Sequence, residues 1–179
     1  MKKIVWTFGL IAGAIMAAFM IATLPFAHAL DEHSLLVGYA GIVAGFLCVY
    51  FGVRSYRDNV LGGTIGFGRA LSVGLLIATI GTLCYVASWE VMYYKFMPDF
   101  YSRYAQSAVD QARKNGESEV AIARTRATME EMAKNAGNPL WVAATTFIEP
   151  FPVGFVIALV SAGILRRKRG SRDAVLAAA

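Results

Sequence analysis

Apolar residues along this chain gather into four long runs separated by polar stretches. Residues 4–26 carry no charged side chain, and residues 35–53 carry none either. Residues 70–96 hold Glu90 and, at their very end, Lys95, while residues 140–165 hold only Glu149. About 20 apolar residues at a 1.5 Å rise cross ~30 Å of hydrocarbon, and each run meets or approaches that length. Lipid offers the backbone no hydrogen bonds, so each run is expected as a helix. The two-residue alternation of a membrane β-barrel is absent. The pattern therefore predicts an all-α protein, an integral membrane four-helix bundle forming a single domain.

Between the third and fourth runs the chain changes character. Residues 99–136 are polar, Ala-rich and helix-favouring. Pro98-Asp99 reads as a helix start, and Phe100, Tyr104, Ala108 and Ala112 recur at four-residue spacing as one mild apolar stripe. Asn115-Gly116 stops this helix, with the glycine suited to a left-handed cap. Ser118 is placed to cap a second helix running through Ile122, Met129, Met132 and Ala133. Asn138-Pro139 breaks it before the fourth run. An extramembrane helical hairpin between spans three and four is expected. It reads first as a solvated connector that shields the bundle. The functional alternative is a surface on which a partner docks.

Composition agrees with a membrane protein. Hydrophobic side chains make up 57% of the 179 residues and charged ones 16%, against roughly 45–50% and ~25% for an average soluble domain. A disordered chain is excluded, and so is an ordinary small soluble enzyme, whose one core could not hide so much apolar surface.

The net charge of +5 becomes informative once sorted by side. One flank holds ten positive charges (Lys2, Lys3, Arg54, Arg57, Arg69, Arg166, Arg167, Lys168, Arg169 and Arg172) against Asp58 and Asp173 alone, a balance of +8. The other flank, with seven positive and eight negative side chains, balances at −1. Glu90 and Glu149 leave −2 within the apolar runs. The positive-inside rule then puts both termini in the cytoplasm and residues 95–139 outside. Arg166, Arg167, Lys168 and Arg169 open a basic tail over 166–179 and are expected to meet anionic lipid headgroups. They lack the interleaved aromatics that a nucleic-acid groove needs, so no nucleic-acid partner is expected. Lys2 and Lys3, an apolar stretch and Ala27-His28-Ala29 also imitate a cleavable signal peptide. The apolar region outruns the usual ~7–15 residues, which favours a retained helix.

Ionisable groups inside the runs are the first candidates for chemistry. Glu90 lies six residues before Phe96 and Glu149 nine after Leu140, about 9 and 13 Å below the outer ends. If they meet, two such carboxylates would share a proton or grip a cation. Tyr93 and Tyr94 follow Glu90, and Thr145 and Thr146 precede Glu149, at spacings of three and four, so their hydroxyls are expected to face the carboxylates. The plainer reading is that each Glu is hydrogen-bonded glue between helices, or that Glu90 snorkels outward. Pro150 and Pro152 free the carbonyls of Thr146 and Ile148, and Glu149, standing before a proline, is pushed away from αR. The fourth run is therefore expected to kink or partly unwind, a geometry that lines some cation sites and elsewhere serves only packing.

Gly9 and Gly13, and Gly41 and Gly45, form small-residue faces for close helix approach, within the molecule by default or in a dimer otherwise. Cys48 and Cys84 read as small apolar fillers, and residues 62–68 as a glycine-rich cytoplasmic turn. His28 and His33 lack a third metal ligand nearby. No hydrolase, metalloprotease or phosphate-loop pattern is present. No enzymatic activity, metal or cofactor is expected.

Several stretches together carry a family resemblance. They are Met1-Lys2-Lys3-Ile4-Val5 leading to Phe8-Gly9-Leu10-Ile11-Ala12-Gly13, then Phe51-Gly52-Val53-Arg54-Ser55-Tyr56-Arg57-Asp58, then Phe67-Gly68-Arg69-Ala70 with Val73-Gly74-Leu75. Trp89-Glu90, Pro98-Asp99-Phe100 and Thr146-Phe147-Ile148-Glu149 through Pro152-Val153-Gly154 to Ala158-Leu159 complete the set. The chain resembles the bacterial domain-of-unknown-function 4199 family over nearly its whole length. The resemblance implies a four-span inner-membrane protein with a long polar segment before the last span and a retained N-terminal helix. It brings no activity, ligand or catalytic residue. The expectation is a non-catalytic structural, regulatory or partner-binding membrane protein, working with a membrane-protein partner or as a homo-oligomer. The alternative is a small proton- or cation-coupled transporter, or an accessory of one, using Glu90 and Glu149.

Overall fold

A backbone surrounded by apolar side chains and lipid must bond to itself, and the helix is the local way to do so. The computed structural model describes residues 1–23 and 34–166, and these are almost entirely helical, with no strand among them. The helices are α1 (Lys2–Thr23), α2 (Ser34–Val60), α3 (Phe67–Phe96), α4 (Phe100–Lys114), α5 (Glu119–Asn135), α6 (Pro139–Ile148) and α7 (Pro150–Leu165). Four stretches are long and apolar enough to cross a membrane: Lys2–Thr23, Leu36–Val60, Phe67–Phe96 and Pro139–Leu165. The shortest has 22 residues, about 33 Å at 1.5 Å per residue. Helix α2 continues well beyond the uncharged run, carrying Arg54, Arg57 and Asp58 on its last turns. There Arg57 Nε donates to Asp58 Oδ1 at 2.6 Å and Arg57 Nη2 to Oδ2 at 3.1 Å.

The described residues divide into two compact units, 1–23 and 34–85 with 147–166, and Val86–Thr146. In the first, α1, α2, α7 and the early turns of α3 pool their apolar faces. Met16, Ile42, Phe46, Val49, Ile77 and Ala158 are all essentially inaccessible and belong to one core. Small residues let the backbones approach closely enough for this packing. A Cβ added to Gly9 would lie 2.7 Å from the Ile80 side chain, and one on Gly13 would collide with Cys84. Gly41 lies against the Phe19 ring and Gly45 against Met16 and the Ala12 carbonyl. All four glycines therefore face other helices of the same chain. After α2, Gly62 and Gly63 take positive φ values of 65° and 92°, which reverses the chain into α3.

The second unit holds the end of α3, then α4, α5 and most of α6. Helices α4 and α5 pack antiparallel through Val109, Ala112 and Ile122. Gly116 takes φ +71° at the turn between them, and the Ser118 hydroxyl accepts from the Ala121 N–H at 3.3 Å as the cap of α5. The expected four-residue stripe on α4 is only half right. Tyr104 is exposed, and Val109, one position from that register, is buried instead. The reason is geometric, because 3.6 residues per turn carries a strict four-residue repeat off the contact face within two turns.

Candidate functional site

The second unit owns a cluster of aromatic rings. Tyr93 is buried with Val142 and Ala136, and Trp89, Phe100, Tyr101 and Trp141 pack around them. The rings meet edge to face: Trp89 and Phe100 at 4.8 Å, Tyr93 and Tyr101 at 5.0 Å, and Tyr101 and Trp141 at 6.1 Å. This arrangement suits the ring quadrupoles and adds about 0.5–1.5 kcal/mol per pair beyond area burial. The rings belong to the last turns of α3, the first turn of α4 and the start of α6. Trp and Tyr gather at such helix ends because an amphipathic ring suits the boundary between oil and water. Burial holds the Tyr101 phenol above its ordinary range, while Trp89 and Thr145 beside its hydroxyl pull the other way.

Glu90 sits in this unit, partly buried, with Oε1 fully enclosed and no hydrogen-bond partner among the described residues. Of the hydroxyls expected to face Glu90 (Tyr93, Tyr94) and Glu149 (Thr145, Thr146), two are bonded elsewhere. Tyr94 donates to the Ala136 carbonyl at 3.1 Å, because α3 and the end of α5 lie side by side there. Tyr93 is turned into the ring cluster. Thr145 donates back along its own helix to the Trp141 and Val142 carbonyls at 2.9 and 3.0 Å, the usual retreat of a threonine inside an apolar helix. Thr146 is buried.

Glu149 belongs to the first unit, so the two glutamates are placed in different compact units. Its backbone departs from expectation. With φ −69° and ψ −61° it is helical despite the following proline. Pro150 and Pro152 fall in the first turn of α7, where N–H groups have no helical acceptor to lose. The chain accommodates them by dividing α6 from α7 at this one residue, not by unwinding. Pro150 is completely buried, whereas Glu149 and Pro152 are exposed on the surface of their helix. Glu149 makes no side-chain hydrogen bond to another described residue. One hydroxyl that periodicity along one helix could not reveal lies near it. Tyr85 of α3 is within electrostatic reach of both Glu149 and Tyr39 of α2. One turn before Tyr85, Thr82 is wholly buried with its Oγ1 unpartnered among the described residues.

Other candidates fall outside these clusters. Arg166 is exposed and ends α7, whereas Arg167, Lys168, Arg169, His28 and His33 lie outside the described residues. No group of three metal-ligating side chains occurs among the described residues.

Four membrane-length helices with polar side chains concentrated at a few points define a multi-pass, all-helical protein of the lipid bilayer. More particularly, the chain belongs to the family described as protein of unknown function (DUF4199), whose model matches residues 7–167. No curated protein and no solved structure matches it.

Proposed function

We propose that this is a non-catalytic bacterial inner-membrane protein whose α4–α5 hairpin, on the outer face, is a docking platform for a membrane-protein partner. The observation that carries the reading is a groove of about 320 Å³ along the hairpin, lined by Val109, Asp110, Arg113, Arg126, Met129 and Glu130. It mixes apolar floor with both signs of charge. Arg113 reaches Asp110 only at 3.8 Å, and Arg126 makes no ion pair among the described residues. Mixed charges bordering an apolar floor suit the selection of a partner, because complementarity across an interface steers and discriminates. The ring cluster beneath supports this reading, since it anchors the start of α4 to its own unit. The +8 flank, including Arg166, fits a cytoplasmic leaflet rich in anionic lipid, with both termini on that side.

The test is photo-crosslinking in native membranes, with the reactive group at Gln106 or Arg126 and, as control, at the exposed Trp6 of α1. A discrete adduct is expected from the hairpin positions alone, and Arg126→Glu should abolish the Gln106 adduct. Adducts no different from the Trp6 control would end the proposal.

A second reading rests on the enclosed, unpartnered Oε1 of Glu90. A carboxylate so placed either holds a proton or awaits a cation. Under that reading the protein couples to proton or cation movement, and Glu90→Gln abolishes flux in proteoliposomes that the native protein supports. Equal flux in both would remove it.

A further inference from the structure

Glu149 is exposed ten residues into the 27-residue span Pro139–Leu165. Around it the same span turns Ile148, Phe155 and Val156 outward, at 68%, 40% and 56% exposure. A carboxyl group at that position lies against acyl chains unless something covers it, and hydrocarbon supplies no donor. On the same unit the partly buried Tyr85 lies within electrostatic reach of Glu149 and also of Tyr39, itself 43% exposed. Tyr39 and Glu149 make no side-chain hydrogen bond to any other described residue. Two exposed groups within reach of Tyr85 are therefore an acceptor, Glu149, and a donor, the Tyr39 hydroxyl, each without a side-chain partner among the described residues.

A patch holding both halves of a hydrogen bond is complementary to itself. Two-fold apposition turns the donor of each copy onto the acceptor of the other. Gly38 precedes Tyr39 on α2, and no described residue lies within 4 Å of the position a Cβ would occupy. It leaves room for a second helix to approach closely. Gly9, Gly13, Gly41 and Gly45 differ in this respect, since each is already filled from within the same chain.

We propose that the Tyr39–Glu149 face of α2 and α7 is the interface of a homodimer within the membrane, with Tyr39 of each copy donating to Glu149 of the other. The proposal is independent of the hairpin reading, which concerns other residues.

The experiment uses the full chain in phospholipid nanodiscs and proteoliposomes, with copies counted by single-molecule photobleaching and native mass spectrometry. Dimers are expected at lipid-to-protein ratios where an unrelated four-span control is monomeric. Tyr39→Phe and Glu149→Leu should each lower the dimer association constant at least tenfold, whereas Glu149→Gln, which still accepts a hydrogen bond, should keep most of it. Tyr39→Phe removes only one oxygen, and circular dichroism confirms that each variant is folded. Gly38→Cys should crosslink copy to copy under mild oxidation, while Leu10→Cys, exposed on α1, should not. Monomers throughout, undiminished dimers of Glu149→Leu and Tyr39→Phe, or a Gly38→Cys adduct with a different membrane protein would each overturn the proposal. The hairpin adducts are read from Gln106 and Arg126, so either idea can fail while the other stands.

Discussion

Gly13 and Gly38 are the same residue type under opposite constraints. At Gly13 any Cβ collides with Cys84, so α1 and α3 touch only because the side chain is a hydrogen. Gly13→Val should cost about 1–3 kcal/mol through overpacking, read as a lowered midpoint in detergent unfolding. Gly38→Ala, with no described residue within 4 Å of the added carbon, should leave that midpoint unchanged. Tyr101 offers a second measurement at this scale. Burial raises its phenol, so the folded state holds that proton more tightly than the unfolded chain does. The stability it contributes is complete below the ordinary tyrosine value of about 10 and is lost as pH climbs through the folded value. Loss of near-ultraviolet ellipticity from the ring cluster above that pH, reduced in Tyr101→Phe, is the expected outcome. Much of this residue chemistry was legible in advance, but not which groups meet. Spacing along one helix pairs Tyr94 with Glu90, yet the hydroxyl turns to a carbonyl 42 positions away. Tyr85 reaches the neighbourhood of Glu149 from another helix, and no periodicity within a single element carries that information.

At the scale of elements the apolar runs and breakers went far. Gly116 and Ser118 end one helix and begin the next as their chemistry demands, the first through φ +71° and the second through its hydroxyl on the Ala121 N–H. Ser118→Ala should cost about 1 kcal/mol, seen as faster hydrogen exchange over the first turn of α5, and Ser118→Asp should restore protection. Where reading failed, competing terms had been weighed in isolation. A proline disfavours αR in the residue before it, but at Glu149 that preference yields to the packing that buries Pro150 completely. The four-residue stripe missed Val109 because true helical phase, not a fixed spacing, selects the inward positions.

For the whole molecule, hydropathy alone implied an all-helical chain with four membrane-length segments, because the demand of the bilayer on backbone hydrogen bonds overrides finer propensities. Orientation rests on charge. Introduced cysteines at Asp110 and Arg69 should be labelled by impermeant maleimides from opposite sides of inside-out and right-side-out vesicles, Asp110 from the outer face. Labelling of both from one side would refute the four-span topology. Function was the least legible level. Neither a groove along a hairpin nor an uncovered carboxylate is a property of any single segment.

The Tyr94 hydroxyl on the Ala136 carbonyl acts as a clasp between the segments entering and leaving the hairpin. With both ends held, the exposed tip at 115–117 carries no tension that keeps the rest assembled. Loop tips of this kind tolerate cuts and insertions. A protease site placed there should yield two pieces that still co-purify. The same tip is then the natural point to split the gene, so that the halves, expressed separately, find one another in the membrane and report on assembly in living cells.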